Sequence, residues 1–449
     1  MLKGSALFLV LLCLLSCVSS LTFSGFMKAK YGSSNIQRSM KKFSPGNSSP
    51  FLVDSYHGYV PVNSNGDDLF YWMFPSQNNP STDPLLVWYT GGPGCSSALA
   101  IMMENGPFNV TLEGKVFINP YSWNNKANLL FVDQPIGTGF SHSSVDDMSQ
   151  TEDDVATNML TFYKTFFTQL YPEFQNRELY ISGESFAGNY IPHIAHKLFA
   201  ANLPYVNLKG LAIGNGWTDP ARQYPEYPKY DFAPEYVPYT KLTQAQFNKY
   251  DPLLQTCYNL LTSSPHSMLV QVNLYCETLA DALYTAPDGQ LLYNMYDVRK
   301  PCVDDLCYDM SAITDFINSP ASLNELQADK FWEACDGFVG QRLNRLDGNN
   351  NASLKLIDML NSGKIRMLIY HGEYDYICNW MGGQEYLKYL AWNSQAQFNA
   401  VSPVDVPYGT TWTYNNLRFV KFANAGHMVP MDQPQYALDM INAFIAGGW

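Results

Sequence analysis

Six short stretches, 85–89, 129–132, 179–181, 208–213, 366–370 and 417–422, are dominated by apolar residues, and the first three are apolar without a break. A strand with one face in water alternates apolar and polar residues, so an unbroken apolar run of this length requires cover on both faces. Helices on either side of a mostly parallel sheet supply that cover, and the runs stand between stretches of helical spacing, the order in which such a sheet is wound. The expected class is therefore α/β. The rhythm breaks between 215 and about 350, a stretch rich in Tyr and Pro that holds Cys257, Cys276, Cys302, Cys307 and Cys335. It reads as an insertion over the carboxyl edge of the sheet, stapled by disulfides. The core then falls into two parts, 51–217 and 351–449, with the insertion at 218–350.

A chain of 449 residues exceeds one average domain, and 46% hydrophobic with 15% charged residues is enough apolar material for a large core. The net charge of −13 excludes nucleic acid as a partner, because phosphate binding needs a basic face. At the start, Lys3 precedes an apolar run over 6–15 and small residues follow at Ser19 and Ser20, the pattern of a signal peptide over 1–20. The run is shorter than the roughly 20 residues a bilayer requires, so no membrane anchor is expected. Residues 21–50 carry Lys28, Lys30, Arg38, Lys41 and Lys42 and no acid, while the rest of the chain is acidic. A basic propeptide on an acidic body and a merely solvated arm both fit. Cys95, Cys257, Cys276, Cys302, Cys307, Cys335 and Cys378 remain after the leader, an odd set that leaves one thiol over, and no C-x-x-C spacing supports a zinc or redox site. Sequons at Asn47, Asn109 and Asn351 are compatible with glycosylation in the secretory pathway.

Residues 180–190, YISGESFAGNY, join an apolar run to a helical pattern through small residues. A strand over 178–182, a helix over 187–199 and Gly183, Ala187 and Gly188 between them describe a sharp strand-to-helix turn that pushes the Ser185 hydroxyl outward over the positive end of the helix. Ala187 stands where the plain G-x-S-x-G pattern has Gly, and a tight turn with an idle serine is the alternative. A serine needs a base and an orienting acid, in this fold in the order Ser, Asp or Glu, His. His427 follows the last strand and precedes an amphipathic helix over 435–445. Asp375, with Glu373 in reserve, lies on the loop after the strand 366–370 and would hold the histidine tautomer. His193 and His196 are three apart on a helix, but no third ligand accompanies them. The glycine-rich loop 90–97 follows an early strand and lets backbone N–H groups approach a developing negative charge, with the Gly92 and Phe186 amides as the pair. It lacks the lysine of a phosphate-binding loop. Side chains and backbone supply every part, so no metal and no cofactor is implied.

With these residues assembled, the chain resembles the serine carboxypeptidase family. The resemblance is carried by VWYTGGPGCSS, NPYSWNNKANLLFVDQPIGTGFSHS, ISGESFAGNYIPHIA, HGEYDYICNW and AGHMVPMDQP, in the family's order, and runs from about 55 to 449. It implies an α/β-hydrolase fold with a cap insertion, and hydrolysis of the last peptide bond of a polypeptide at acidic pH. Ser185, Asp375 and His427 become the triad, and Gly92 and Phe186 the oxyanion hole. Trp88, Thr90, Gly91, Glu104 and Glu184 are assigned to the substrate's terminal carboxylate, and Cys378 and Met428 to a substrate pocket. The same resemblance pairs Cys95 with Cys335, Cys257 with Cys276 and Cys302 with Cys307. Peptide C-termini are the implied substrate, a homodimer is admitted, and the destination is lysosomal, vacuolar or extracellular. Thr90 stands where well-known members have Asn, Phe186 where they have Tyr, and Asn189 where His is common. Acyltransferase members also carry Thr at the first position, so acyl transfer is the alternative activity, and a protective role toward partner hydrolases is another.

Overall fold

The computed structural model describes residues 39–41, 49–264, 268–286, 288–304 and 306–448. The signal peptide expected over 1–20, most of the basic segment 21–50 and the sequon at Asn47 lie outside the described residues.

All six apolar runs are strands of one eleven-stranded sheet. In chain order the strands are β1 (Ser39–Lys41), β2 (Ser55–Pro61), β3 (Asp68–Phe74), β4 (Leu85–Tyr89), β5 (Phe108–Val110), β6 (Val116–Ile118), β7 (Asn128–Val132), β8 (Glu178–Glu184), β9 (Asn207–Gly214), β10 (Arg366–Gly372), β11 (Val404–Val406), β12 (Gly409–Tyr414) and β13 (Leu417–Phe422). Within the main sheet they run β1-β2-β3-β7-β4-β8-β9-β10-β13-β12-β11, and β5 and β6 form a separate hairpin. From β7 to β13 every neighbouring pair is parallel. β1, β2 and β3 add antiparallel strands at one side, β12 and β11 at the other. The flanking strands were not among the six runs. β2 is interrupted by His57 and Gly58, and β12 keeps mostly half-buried positions, so neither reads as a core strand. β1 falls within the basic segment and pairs with β2 through Ser39 opposite His57.

The unbroken apolar runs follow from cover on both faces. Val87, Tyr89, Ile181, Ile213 and Ile369 join one core cluster, with Met159 and Phe162 of the helix Glu152–Thr165 and Ile191 of the helix Ala187–Ala201. Their sequence neighbours Leu86, Trp88, Tyr180, Ala212 and Leu368 join a second cluster, with Ile101 of the helix Ala98–Met103 and Ile441 of the helix Pro434–Ala446. Alternation across a strand thus serves two cores. Each large aliphatic side chain so buried contributes about 1.5–3 kcal/mol.

Among the described residues, 218–350 contributes no strand to this sheet. Its helices Gln244–Ser263 and Leu269–Tyr284 are joined by Cys257–Cys276. Tyr224, Tyr227, Tyr230, Tyr236 and Tyr293 pack with Tyr376, which follows β10, in a third cluster. Cys95–Cys335 ties this segment to the glycine-rich loop after β4, and Cys302–Cys307 closes a short loop.

Candidate active site

Ser185, Asp375 and His427 follow the carboxyl ends of the parallel strands β8, β10 and β13, where open α/β sheets place their sites. β8 runs two residues further than the strand expected over 178–182, so Gly183 and Glu184 are strand and the turn is confined to Ser185 and Phe186. Ser185 has φ 63°, the left-handed region that L-residues rarely adopt, and its amide bonds the carbonyls of Gly214 and Asn215 at the end of β9. The helix Ala187–Ala201 starts at once behind it. Gly91 approaches this elbow so closely that a Cβ there would lie 2.4 Å from the Phe186 nitrogen and 2.7 Å from the Ser185 Cβ. That contact sets the loop after β4 against Ser185 and explains the glycine.

His427 Nδ1 lies 2.8 Å from Asp375 Oδ2, and both side chains are buried. Glu373, the reserve acid, is engaged elsewhere, by Lys421 Nζ at 3.1 Å and the Asn424 amide. Asp375 Oδ2 also accepts a hydrogen bond from Asn215 Nδ2 at 2.7 Å, a residue that sequence reasoning missed. The signal for it was a polar residue between glycines at the end of a buried strand. The His427 amide donates to the Tyr296 carbonyl at 2.7 Å, and the Tyr296 ring stands edge-on to the imidazole at 5.1 Å.

Glu104 and Glu184, 80 residues apart in sequence, bring their carboxyl groups within hydrogen-bonding reach of each other. Burial raises the Glu104 carboxyl to about 7, and burial together with the Glu104 charge pushes Glu184 well above the usual carboxylate range. The pair therefore keeps a proton throughout the acid range. Trp88 Nε1 donates to Thr90 Oγ1 at 3.0 Å, which leaves the threonine hydroxyl proton free to point elsewhere.

A cavity of about 150 Å³ opens on Ser185, lined near it by Gly92, Phe186 and Cys378. Cys378 is a buried free thiol whose sulfur lies within 4.8 Å of ligand-capable atoms of Asp375 and His427. Burial and the Asp375 charge push this thiol up, so it stays protonated and does not compete with serine as a nucleophile. Met428 follows His427 but does not line the cavity. His193 bonds the Asn189 carbonyl of its own helix and His196 approaches Asp358 at 3.7 Å, so the two are not brought to a common ligand. Asn109 lies on β5, and Asn351 donates from Nδ2 to Asp219 while its Oδ1 caps the following turn. No helix among the described residues is long and apolar enough to cross a membrane.

Comparison with known proteins agrees with this geometry. The family profile described as serine carboxypeptidase matches residues 45–447. Serine carboxypeptidase-like 49 from Arabidopsis thaliana is 38% identical over 412 residues, covering 88% of this chain and 78% of the relative. Carboxypeptidase Y homolog A from Arthroderma gypseum is 34% identical over 413 residues, covering 88% and 75%. Among solved structures, a prohormone-processing carboxypeptidase from Saccharomyces cerevisiae superimposes with a TM-score of 0.76 at 26% identity, covering 88% of this chain and 91% of that one.

Proposed function

This chain belongs to the serine carboxypeptidase family, peptidases on an α/β-hydrolase fold, and from that premise we propose that it releases C-terminal residues through an acyl-enzyme on Ser185. Ser185 Oγ attacks the carbonyl carbon of the last peptide bond while His427 takes its proton. Asp375 holds the imidazole by its Nδ1–H and stabilises the imidazolium. The Gly92 and Phe186 amides face the developing oxyanion. His427 then protonates the leaving amine, which departs as the free C-terminal residue. Water, deprotonated by the same histidine, releases the shortened peptide.

The observation that carries the exopeptidase reading is the buried Glu104–Glu184 pair next to the nucleophile. A protonated carboxyl donates to the substrate's terminal carboxylate, whereas two ionised ones repel it, which supports acid-favoured activity. Trp88, Gly91 and the Thr90 hydroxyl complete the set. Because Thr90 accepts from Trp88 and keeps its own proton to donate, it can replace an amide donor there. The segment 218–350 acts as the cap over this site. Three disulfides and the leader pattern support a route through the secretory pathway to an acidic compartment or the exterior.

The test is hydrolysis of a blocked dipeptide with a free C-terminal carboxylate against its C-terminal amide, from acidic to neutral pH, with Ser185→Ala as control. Acid-favoured release, weak on the amide and absent in the variant, is expected. Equal cleavage of acid and amide would remove the carboxylate-clamp reading.

A further inference from the structure

The cavity that opens on Ser185 does not end in apolar residues. Its walls are Trp217, Tyr224, Tyr227, Tyr284 and Tyr376, and two carboxylates, Glu277 and Asp281, line it as well. Both acids lie on the helix Leu269–Tyr284, where 277, 280, 281 and 284 fall on one face by helical spacing, and all four line the cavity. The Cys257–Cys276 disulfide anchors that helix one residue before Glu277. Glu277 is half-buried, Asp281 is at the exposed end, and Tyr284 OH donates to Asp281 Oδ1 at 2.8 Å. No Lys or Arg lines the cavity, and among the described residues no cation forms an ion pair with either acid.

The lining also fixes which part of a substrate enters. It includes Gly92 and Phe186 but none of Trp88, Thr90, Glu104 or Glu184. A side chain in the cavity therefore belongs to the acyl side of the scissile bond, the residue that becomes penultimate to the C-terminus, and not to the residue released. This rests on the carboxypeptidase reading above.

We propose that Glu277 and Asp281 make this a pocket for a cationic penultimate side chain, lysine or arginine, whose methylene stem lies along the tyrosine and tryptophan walls and whose head meets the two carboxylates. Aromatic faces accept both the stem and the charge. Neither acid has a cationic partner among the described residues, and burial together with the Asp281 charge raises the Glu277 carboxyl, a repulsion that a bound cation relieves. A leucine fills the walls but leaves the acids unanswered, and a glutamate adds a third negative charge.

The experiment uses the full chain with three N-blocked dipeptides that share a C-terminal leucine and carry Lys, Leu or Glu before it, and with Leu-Lys as a fourth. The shared leaving residue cancels the carboxylate clamp from the ratio of kcat/KM values. The expected order is Lys over Leu over Glu, and the Lys-to-Leu ratio falls about tenfold in the Glu277→Gln, Asp281→Asn double variant, the scale of a partly exposed charge pair. Glu277→Lys is expected to invert the order of the Lys and Glu peptides. A wild-type ratio at or below one, a ratio unmoved in the double variant, or a cation preference seen only with Leu-Lys overturns the assignment. Failure to release leucine from any of the first three overturns the carboxypeptidase reading, and this proposal with it.

Discussion

Asn215 Nδ2 donates to Asp375 Oδ2 at 2.7 Å, on the same oxygen that His427 Nδ1 meets at 2.8 Å. Asn215 itself has φ 44° and its amide bonds the Tyr370 carbonyl, so two strands hold it. It holds the carboxylate that, in the proposed mechanism, orients His427. Replacing it by Ala removes a donor from a buried carboxylate, a loss of about 1.5–3 kcal/mol. If that loss falls on the transition state, kcat drops about 10–100-fold while KM changes little. Steady-state kinetics with a correctly folded Asn215→Ala variant checks this, and an equal fractional change in KM would place the effect in binding instead.

The Glu104–Glu184 pair predicts opposite behaviour for activity and its variant. Glu104 rises from 4.5 to about 7, so the folded protein holds protons that the unfolded chain has released. Wild-type stability therefore falls as pH rises across that window, by on the order of 3 kcal/mol for this group. Glu104→Gln stays neutral, and its stability relative to wild type is expected to grow from pH 4.5 to 7 by up to that amount. Its kcat/KM for free-acid peptides should lose the decline that wild type shows toward neutral pH. Denaturant melts and pH profiles of the two proteins give both readings.

Ser185 was legible because an elbow needs small neighbours and leaves them in sequence, and His427 and Asp375 because strand ends are countable. Their roles as a group stand on their order along the chain and on the His427–Asp375 contact between the loops after β13 and β10. Asn215 was not legible. Its partner is 160 residues away, and a polar residue between glycines names no partner. Glu104 and Glu184 could be placed only through the resemblance, since nothing local marks a carboxyl that will be buried against another. β3 obeys the same apolar rule as the six runs, yet it pairs antiparallel with β7, so the flank of the sheet was not countable from apolar runs alone.

His142 sits between Asp68 on β3 and Asp329 in the 218–350 segment, at 2.8 and 2.7 Å. Despite burial, the two carboxylates raise it to about 9. A histidine raised from 6.5 stabilises the fold fully below pH 6.5 and loses that contribution as pH rises through 9. With 30% of the side chain exposed, solvent screening limits the effect to about 2 kcal/mol. His142→Gln is therefore expected to destabilise at pH 5 and to approach wild type near pH 10. A difference between the two proteins that stays constant with pH would assign His142 to packing rather than charge.

Gly91 offers the sharpest test of how the oxyanion loop is set. A methyl at this position meets the Phe186 nitrogen at 2.4 Å and the Glu184 carbonyl oxygen at 2.8 Å, both backbone atoms that no rotamer change can move. The loop from Thr90 to Ser97 cannot simply withdraw, because Ser96 Oγ and the Ser97 amide are both held by the buried Asp133, at 2.6 and 2.9 Å, and Cys95 is bonded to Cys335. The strain must then appear at the elbow, displacing the Phe186 amide proposed to face the oxyanion. One misplaced donor costs about 10²–10³ in kcat, while overpacking at a single methyl costs about 1–3 kcal/mol of stability. Gly91→Ala should accordingly fold, melt a few degrees lower and lose hydrolysis by at least a hundredfold. Wild-type kcat in a folded variant would show that the loop can yield without moving the amides, and would detach Gly91 from the geometry of the site.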